Sequence, residues 1–287
     1  MPSRKKRLSP GFSLSHQSLE KAFDAWRIPI PEEGWVLFAF RGCLPAAADG
    51  WRKSITLRLA EVDYKHMRCT LGIWDRLRKR MYAAPGSTVP YREHVLKAAA
   101  RPGRMKGKGV NQLEPGFYTD LTKGEHLQGK LNGHEALRQT AYRFYRRSRT
   151  GVPYTVAAPL YYGNPYDNLH CGWNLAGEEP GFSSAGCLVV AGLPHCPRHG
   201  APQPNQGPWK TFHALLYGAA QRKFPLLLLP ARDVRKALQG GEERERLAFG
   251  SSGEAVKALQ RRLAKAGRYR GRPTGRLDAR TYRAWKG

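Results

Sequence analysis

The segment from Asn164 to Val190 holds the residues best equipped for covalent chemistry. A cysteine nucleophile needs a base to take its proton, a third group to orient that base, and backbone N–H donors to hold a developing oxyanion. Sixteen residues lie between His170 and Cys187, which brings both to one site if strands flank the intervening loop. Ser184, Ala185 and Gly186 precede the thiol and are small enough for a tight turn whose N–H groups converge. On spacing alone, a buried inert thiol beside an ordinary loop histidine is the simpler reading.

Positioning such a pair falls to strands. The runs Trp35–Phe40, Ile55–Leu59 and Cys69–Trp74 are strand-like, and Arg80–Pro90 follows Asp75–Lys79 as a second hairpin arm follows its turn. Phe117–Leu121 and Val152–Ala157 suggest further strands, and the apolar run Phe224–Pro230 suits a buried one. Helical spacing of apolar residues predicts helices over Tyr91–Ala100, Gly133–Arg147 and Trp209–Gln221. Pro194 to Pro208, rich in proline and glycine, reads as an exposed loop. The expected fold class is mainly β with a few helices, plus a small all-α C-terminal domain.

The 287 residues suggest about two domains. The expected organisation is a basic N-terminal arm over 1–33, a catalytic domain over 34–240, and a C-terminal unit over 247–287. The two glycines and alternating charges of Gln239–Arg246 mark the break. Lys and Arg number 49 against 22 Asp and Glu, a net +27 that seeks anions: nucleic acid, acidic lipid or the polymers of a bacterial wall. Phe224–Pro230 is far short of the ~20 residues of a membrane helix, and no secretory leader is legible at the N-terminus. Five cysteines are an odd number, so at least one thiol stays free.

The tail has its own pattern. Val256, Leu259, Leu263 and Ala266 share one helical face behind a candidate N-cap at Ser252, Gly267 is a C-terminal stop, and Asp278 caps a last helix through Trp285. With Gly250-Ser-Ser-Gly253, Leu259-Gln260, Gly275-Arg-Leu-Asp278 and Thr281, this stretch resembles the small helical peptidoglycan-binding module of wall hydrolases. The resemblance implies a tail that holds the chain to anionic wall polymers.

His170, its loop and Ser184-Ala185-Gly186-Cys187 are similar to the catalytic signature of the L,D-transpeptidase family. In that family a histidine is followed by serine or threonine, histidine, glycine and the nucleophilic cysteine. Trp74, Met81-Tyr82, Pro85-Gly-Ser-Thr88 and Glu114-Pro-Gly-Phe-Tyr118 resemble its other landmarks, so that the likeness spans Tyr64 to Val234. The resemblance implies a β-sandwich in which Cys187 attacks a diaminopimelate carbonyl of a peptidoglycan stem and forms a thioester. It further implies that His170 takes the thiol proton, the Cys171 carbonyl orients the imidazole, and N–H groups of Ala185, Gly186 and Cys187 form the oxyanion hole, with Ser184 near the substrate. It implies no metal and no organic cofactor.

Three departures stand out. Only 13 residues separate His170 from Ser184, Ala185 replaces the usual histidine, and Leu188-Val-Val190 lacks the arginine or asparagine that usually follows the cysteine. Transfer to an amine is thereby in more doubt than acyl-enzyme formation, and water as acceptor gives an L,D-carboxypeptidase. The expected location is the bacterial wall or periplasm, reached with a delivery apparatus such as a phage lysis system or an injection machine.

Weaker signals have blander readings. His195, Cys196 and His199 lack an evident fourth zinc ligand and fit an exposed loop. Arg143 to Arg149 interleaves aromatics with arginines as nucleic-acid binders do, but suits the solvated face of a helix. Cys43 and Cys69 read as core residues, whereas His66, His94, His126 and His134 have no legible partner. The rivals to an enzyme are a catalytically silent wall-binding protein and a basic nucleic-acid binder without sequence specificity.

Overall fold

The apolar run at Trp35 forms strand β2 (Trp35–Arg41), which pairs antiparallel with β5 (Cys69–Asp75) and parallel with β14 (Lys223–Pro230). A computed structural model describes residues 11–47, 49–100, 109–148, 151–175, 179–196, 203–240 and 246–287. The protein is mainly β. Eight strands close a barrel in the order β12 (Leu169–Cys171), β13 (Leu188–Val190), β6 (Arg80–Ser87), β5, β2, β14, β8 (Gly116–His126), β9 (His134–Gln139). One core joins apolar residues from all eight, among them Leu37, Ile73, Tyr82, Leu137, Leu169, Leu188 and Leu226. Helix α3 (Gly207–Gly218) seats Trp209, Phe212 and Leu216 against it.

Residues 11–25, expected within a basic arm, instead build strand β1 (Gly11–Ser15) and helix α1 (His16–Ala25). Ser15 caps α1 through the Ser18 N–H, and Leu19, Ala22 and Phe23 are buried. They pack with Phe38, Phe40, Trp74 and Val234 of helix α4 (Ala231–Leu238) in a second core. Strand β1 pairs with β4 (Ser54–Leu59), itself paired with β3 (Cys43–Pro45). Residues 1–10 lie outside the described residues.

Three further expectations are corrected. The helix expected over 133–147 is β9 followed by β10 (Arg143–Ser148). Pairing decides this: Leu121 to His126 face Gln139 to His134 across the β8–β9 hairpin, and Arg143 and Arg146 turn to the carboxylates of buried Asp120 and half-buried Glu114 instead of solvent. Strand β10 lies between β7 (Val110–Leu113) and β11 (Leu160–Gly163). The strand expected over 152–157 is turn and coil, because Tyr154 donates its N–H to the Tyr64 hydroxyl and its own hydroxyl to the Val110 carbonyl. In the loop expected to be exposed, Pro194 and Cys196 are buried, and His199 lies outside the described residues. Helix α2 (Arg92–Ala100) follows its expected position.

The tail forms helices α5 (Glu254–Lys265) and α6 (Ala279–Lys286). Asp278 caps α6 by accepting from the Thr281 N–H, and Gly267 takes the left-handed conformation (φ 71°) that ends α5. The cap of α5 is Gly253 rather than Ser252. Gln260 is fully buried: its amide donates to Thr274, Thr281 and the Arg276 carbonyl, and its oxygen accepts from Gly275 N–H. The tail packs against the β7–β10–β11 sheet. Its core includes Phe144 of β10, whose ring lies 4.4 Å from that of Tyr282, and the Tyr282 hydroxyl donates to Glu114 at 3.0 Å.

Candidate active site

Strands β12 and β13 are parallel neighbours, with Leu169 opposite Leu188 and His170 opposite Val189. The Leu188 N–H donates to the Asn168 carbonyl, which sets Cys187 level with Asn168. A two-residue period then places Cys187 and His170 on one face, opposite the face that Leu169 and Leu188 turn to the barrel core. Register thus gathers residues that the sequence separates by a whole loop. Met67, Phe182, Val189 and Tyr91 pack around Cys187.

His170 Nδ1 lies 2.7 Å from the Cys171 carbonyl oxygen. A carbonyl only accepts, so Nδ1 carries the proton and Nε2 of the neutral ring holds the lone pair. Ring nitrogens of His170 and His126 and the Cys187 sulfur all lie within 4.8 Å of one another. Burial, then the neighbouring His126 and His134, holds the His170 pKa well below its ordinary value. Burial, then the Asp167 carboxyl, pushes the Cys187 thiol up. The resting pair is therefore neutral thiol and neutral imidazole.

Ala185 is exposed, while Ser184 and Gly186 are buried. Ser184, expected beside the substrate, commits its hydroxyl to the turn: it donates to the Cys187 carbonyl at 2.7 Å and accepts from the Gly186 N–H at 3.3 Å. Gly186 must leave that contact to hold an oxyanion. Its φ is +134°, and a Cβ there would come within 2.5 Å of the Asp167 carboxyl, so only glycine fits.

Several residues that sequence reasoning left without a role converge here. His126 and His134 face each other across the β8–β9 hairpin, and β9 pairs with β12 at Leu137 and Leu169. The His126 ring stacks on His170 at 4.0 Å, and His134 meets His170 edge-on at 5.3 Å. Burial lowers the His126 pKa to about 4, and lowers that of His134 also. Asp167, held by Asn111, has one buried oxygen without a partner among the described residues, and burial lifts its pKa to about 7. The histidines announce themselves only as a pair spaced around a Gly133 turn; Asp167 has no sequence signal beyond its nearness to His170.

A cleft of about 570 Å³ lies elsewhere, where Phe117, Tyr162 and Phe249 meet Arg276 and Arg280 of the tail. His170 and Cys187 do not line it. No protein-family model matches the chain, and no curated protein or solved structure does. What the molecule presents is a mainly β barrel carrying a buried cysteine–histidine pair, with the histidine oriented by a backbone carbonyl.

Proposed function

We propose that this protein is a cysteine-dependent acyl-transfer enzyme acting on the peptide stems of bacterial peptidoglycan, an L,D-transpeptidase or L,D-carboxypeptidase. The observation that carries the reading is the hydrogen bond from His170 Nδ1 to the Cys171 carbonyl beside Cys187. It fixes the tautomer that can accept the thiol proton. Cys187 Sγ attacks the stem carbonyl, His170 Nε2 takes the proton and returns it to the departing amine, and an amine or water then resolves the thioester. The N–H groups of Ala185, Gly186 and Cys187 hold the oxyanion once Gly186 has left the Ser184 hydroxyl. In this reading the barrel belongs to the L,D-transpeptidase-like β fold, and the 247–287 segment is a peptidoglycan-binding unit working at the wall or in the periplasm. The arginines and aromatic rings of the 570 Å³ cleft suit an anionic glycan.

The test uses defined tetrapeptide muropeptides, read by mass spectrometry beside Cys187→Ala. Loss of one terminal D-alanine, absent with the variant, is the expected carboxypeptidase outcome; a cross-linked or exchanged stem is the transfer outcome. Wild type and variant leaving tetrapeptide and pentapeptide stems equally untouched would overturn the reading.

One observation favours a second reading, a silent wall-binding protein: Cys187 is only 8% exposed and the Gly186 N–H is already engaged. That reading expects retention on sacculi with no Cys187-dependent product. The net charge of +27 alone supports nucleic-acid binding, and such binding should fall steeply with salt and yield to sacculi as competitor.

A further inference from the structure

Cys171 and His134 form a second cluster with His170, and the side chains of Cys171 and His134 have no part in the acyl transfer. One ligand atom from each lies within 4.8 Å of the other two, and all three residues are buried. The Cys171 sulfur is 3.7 Å from His134 Nε2. A tetrahedral zinc ion, with bonds of about 2.3 Å to sulfur and about 2.0–2.1 Å to nitrogen, sets sulfur and nitrogen about 3.6 Å apart. The outer contacts also suit a metal. His134 Nδ1 lies 2.8 Å from the Asn132 carbonyl and His170 Nδ1 lies 2.7 Å from the Cys171 carbonyl, the partners that fix metal-binding imidazoles.

The neighbouring triad of His126, His170 and Cys187 has similar spacing but poorer geometry. Its two rings are stacked, only 12° from parallel, so their in-plane lone pairs cannot meet at one ion. The lone pair of His126 Nδ1 also faces the Asn168 amide at 3.0 Å. The His134 and His170 planes cross at 68°, which allows convergence.

We propose that Cys171, His134 and His170 bind a soft divalent cation of the zinc class, and that its binding switches off the Cys187–His170 pair. Binding releases the Cys171 thiol proton to solvent and forms one metal–sulfur and two metal–nitrogen bonds, leaving the fourth position to water or another donor. An ion on His170 Nε2 occupies the lone pair that would take the thiol proton. The binding claim stands without the acyl-transfer reading, whereas the switch rests on it.

The test titrates chelator-stripped full-length protein with Zn2+ against a chromogenic chelator, and with Co2+ while following the thiolate-to-cobalt charge-transfer band. Wild type and Cys187→Ser should bind one equivalent and show the band. Cys171→Ser should lose the band and weaken Zn2+ binding at least about 100-fold. Should Cys171→Ser fail to fold, as judged by circular dichroism, His134→Gln carries the same affinity expectation. No saturable binding by wild type, undiminished binding by the folded variants, or loss of binding in Cys187→Ser would each overturn the site. Saturating Zn2+ should also slow alkylation of Cys187 in wild type and not in Cys171→Ser; unchanged alkylation would overturn the switch alone. Metal binding by a protein whose chelator-stripped form yields no muropeptide product would leave the site standing and remove the acyl-transfer reading.

Discussion

Two neighbouring regions enclose polar groups and treat them in opposite ways. On β8 and β10, Asp120 and Arg143 are almost wholly enclosed yet ion-paired, with Arg143 Nε 2.9 Å from one carboxylate oxygen. Asp120 also accepts the N–H groups of Thr140 and Ala141 at 3.1 Å. At the β12–β13 face, His126, His134, His170 and Cys187 have no opposing charge at hydrogen-bond distance among the described residues, and burial drives each toward its neutral form. Both regions enclose polar groups, and only one of them supplies an opposing charge. One region pairs its two groups and ties β8 to β10. The other holds its groups toward their neutral forms.

The sharpest break in this comparison is Asp120→Ala, which strands the Arg143 guanidinium. It should cost about 3–5 kcal/mol in urea unfolding, as uncompensated buried charges do. A loss below about 1 kcal/mol would mean that the guanidinium finds water instead. Next comes acid. The buried histidines have folded-state pKa values below their unfolded value, so their stability is present above pH 6.5 and fades as pH falls toward 4. Unfolded chains then take up protons that the folded chain refuses, with a slope of up to about 1.4 kcal/mol per pH unit for each histidine. Unfolding midpoints followed from pH 7 to 4 should fall, and His126→Gln should flatten the decline.

Asp167 runs the other way. Its folded pKa is raised to about 7, so its contribution is complete below the ordinary carboxylate pKa and lost as pH rises to 7. Asp167→Asn should therefore gain about 1–3 kcal/mol over wild type at pH 8 and nothing at pH 4. It should also lower the Cys187 thiol pKa by removing a nearby negative charge, read as faster alkylation at alkaline pH. Equal alkylation profiles would deny that Asp167 acts on the thiol. The smallest effect is expected at the tail. Asp278→Ala removes the α6 cap and should cost about 1 kcal/mol, leaving the β12–β13 face unaffected.

Much of the fold is legible in the sequence where local chemistry acts alone. Trp35–Phe40, Cys69–Trp74 and Phe224–Pro230 are strands because their apolar runs leave little else to do, and Asp278 caps a helix because its short carboxylate accepts from the Thr281 N–H three residues on. Where long-range pairing acts, the signal is absent or misleading. Leu137, Ala141 and Phe144 recur at helical spacing, yet the β8 hairpin and the carboxylates of Asp120 and Glu114 draw that stretch into two strands. The candidate pair, His170 and Cys187, is legible because one loop spans it. His126, His134 and Asp167 are not, because the barrel register brings them there. Gly186 is readable as a tight turn, but its engagement by Ser184 is a tertiary detail.

The central claim is that the Cys187 sulfur is acylated with His170 as its base. The most direct measurement is the intact mass of the protein, quenched in acid after mixing with tetrapeptide muropeptide. The account predicts a thioester adduct equal to the stem lacking its terminal D-alanine. That adduct should map to Cys187, be absent in Cys187→Ala, and form about 100- to 10,000-fold more slowly in His170→Ala. An adduct on another residue, formation at wild-type rate in a folded His170→Ala protein, or no adduct alongside no released D-alanine would contradict it.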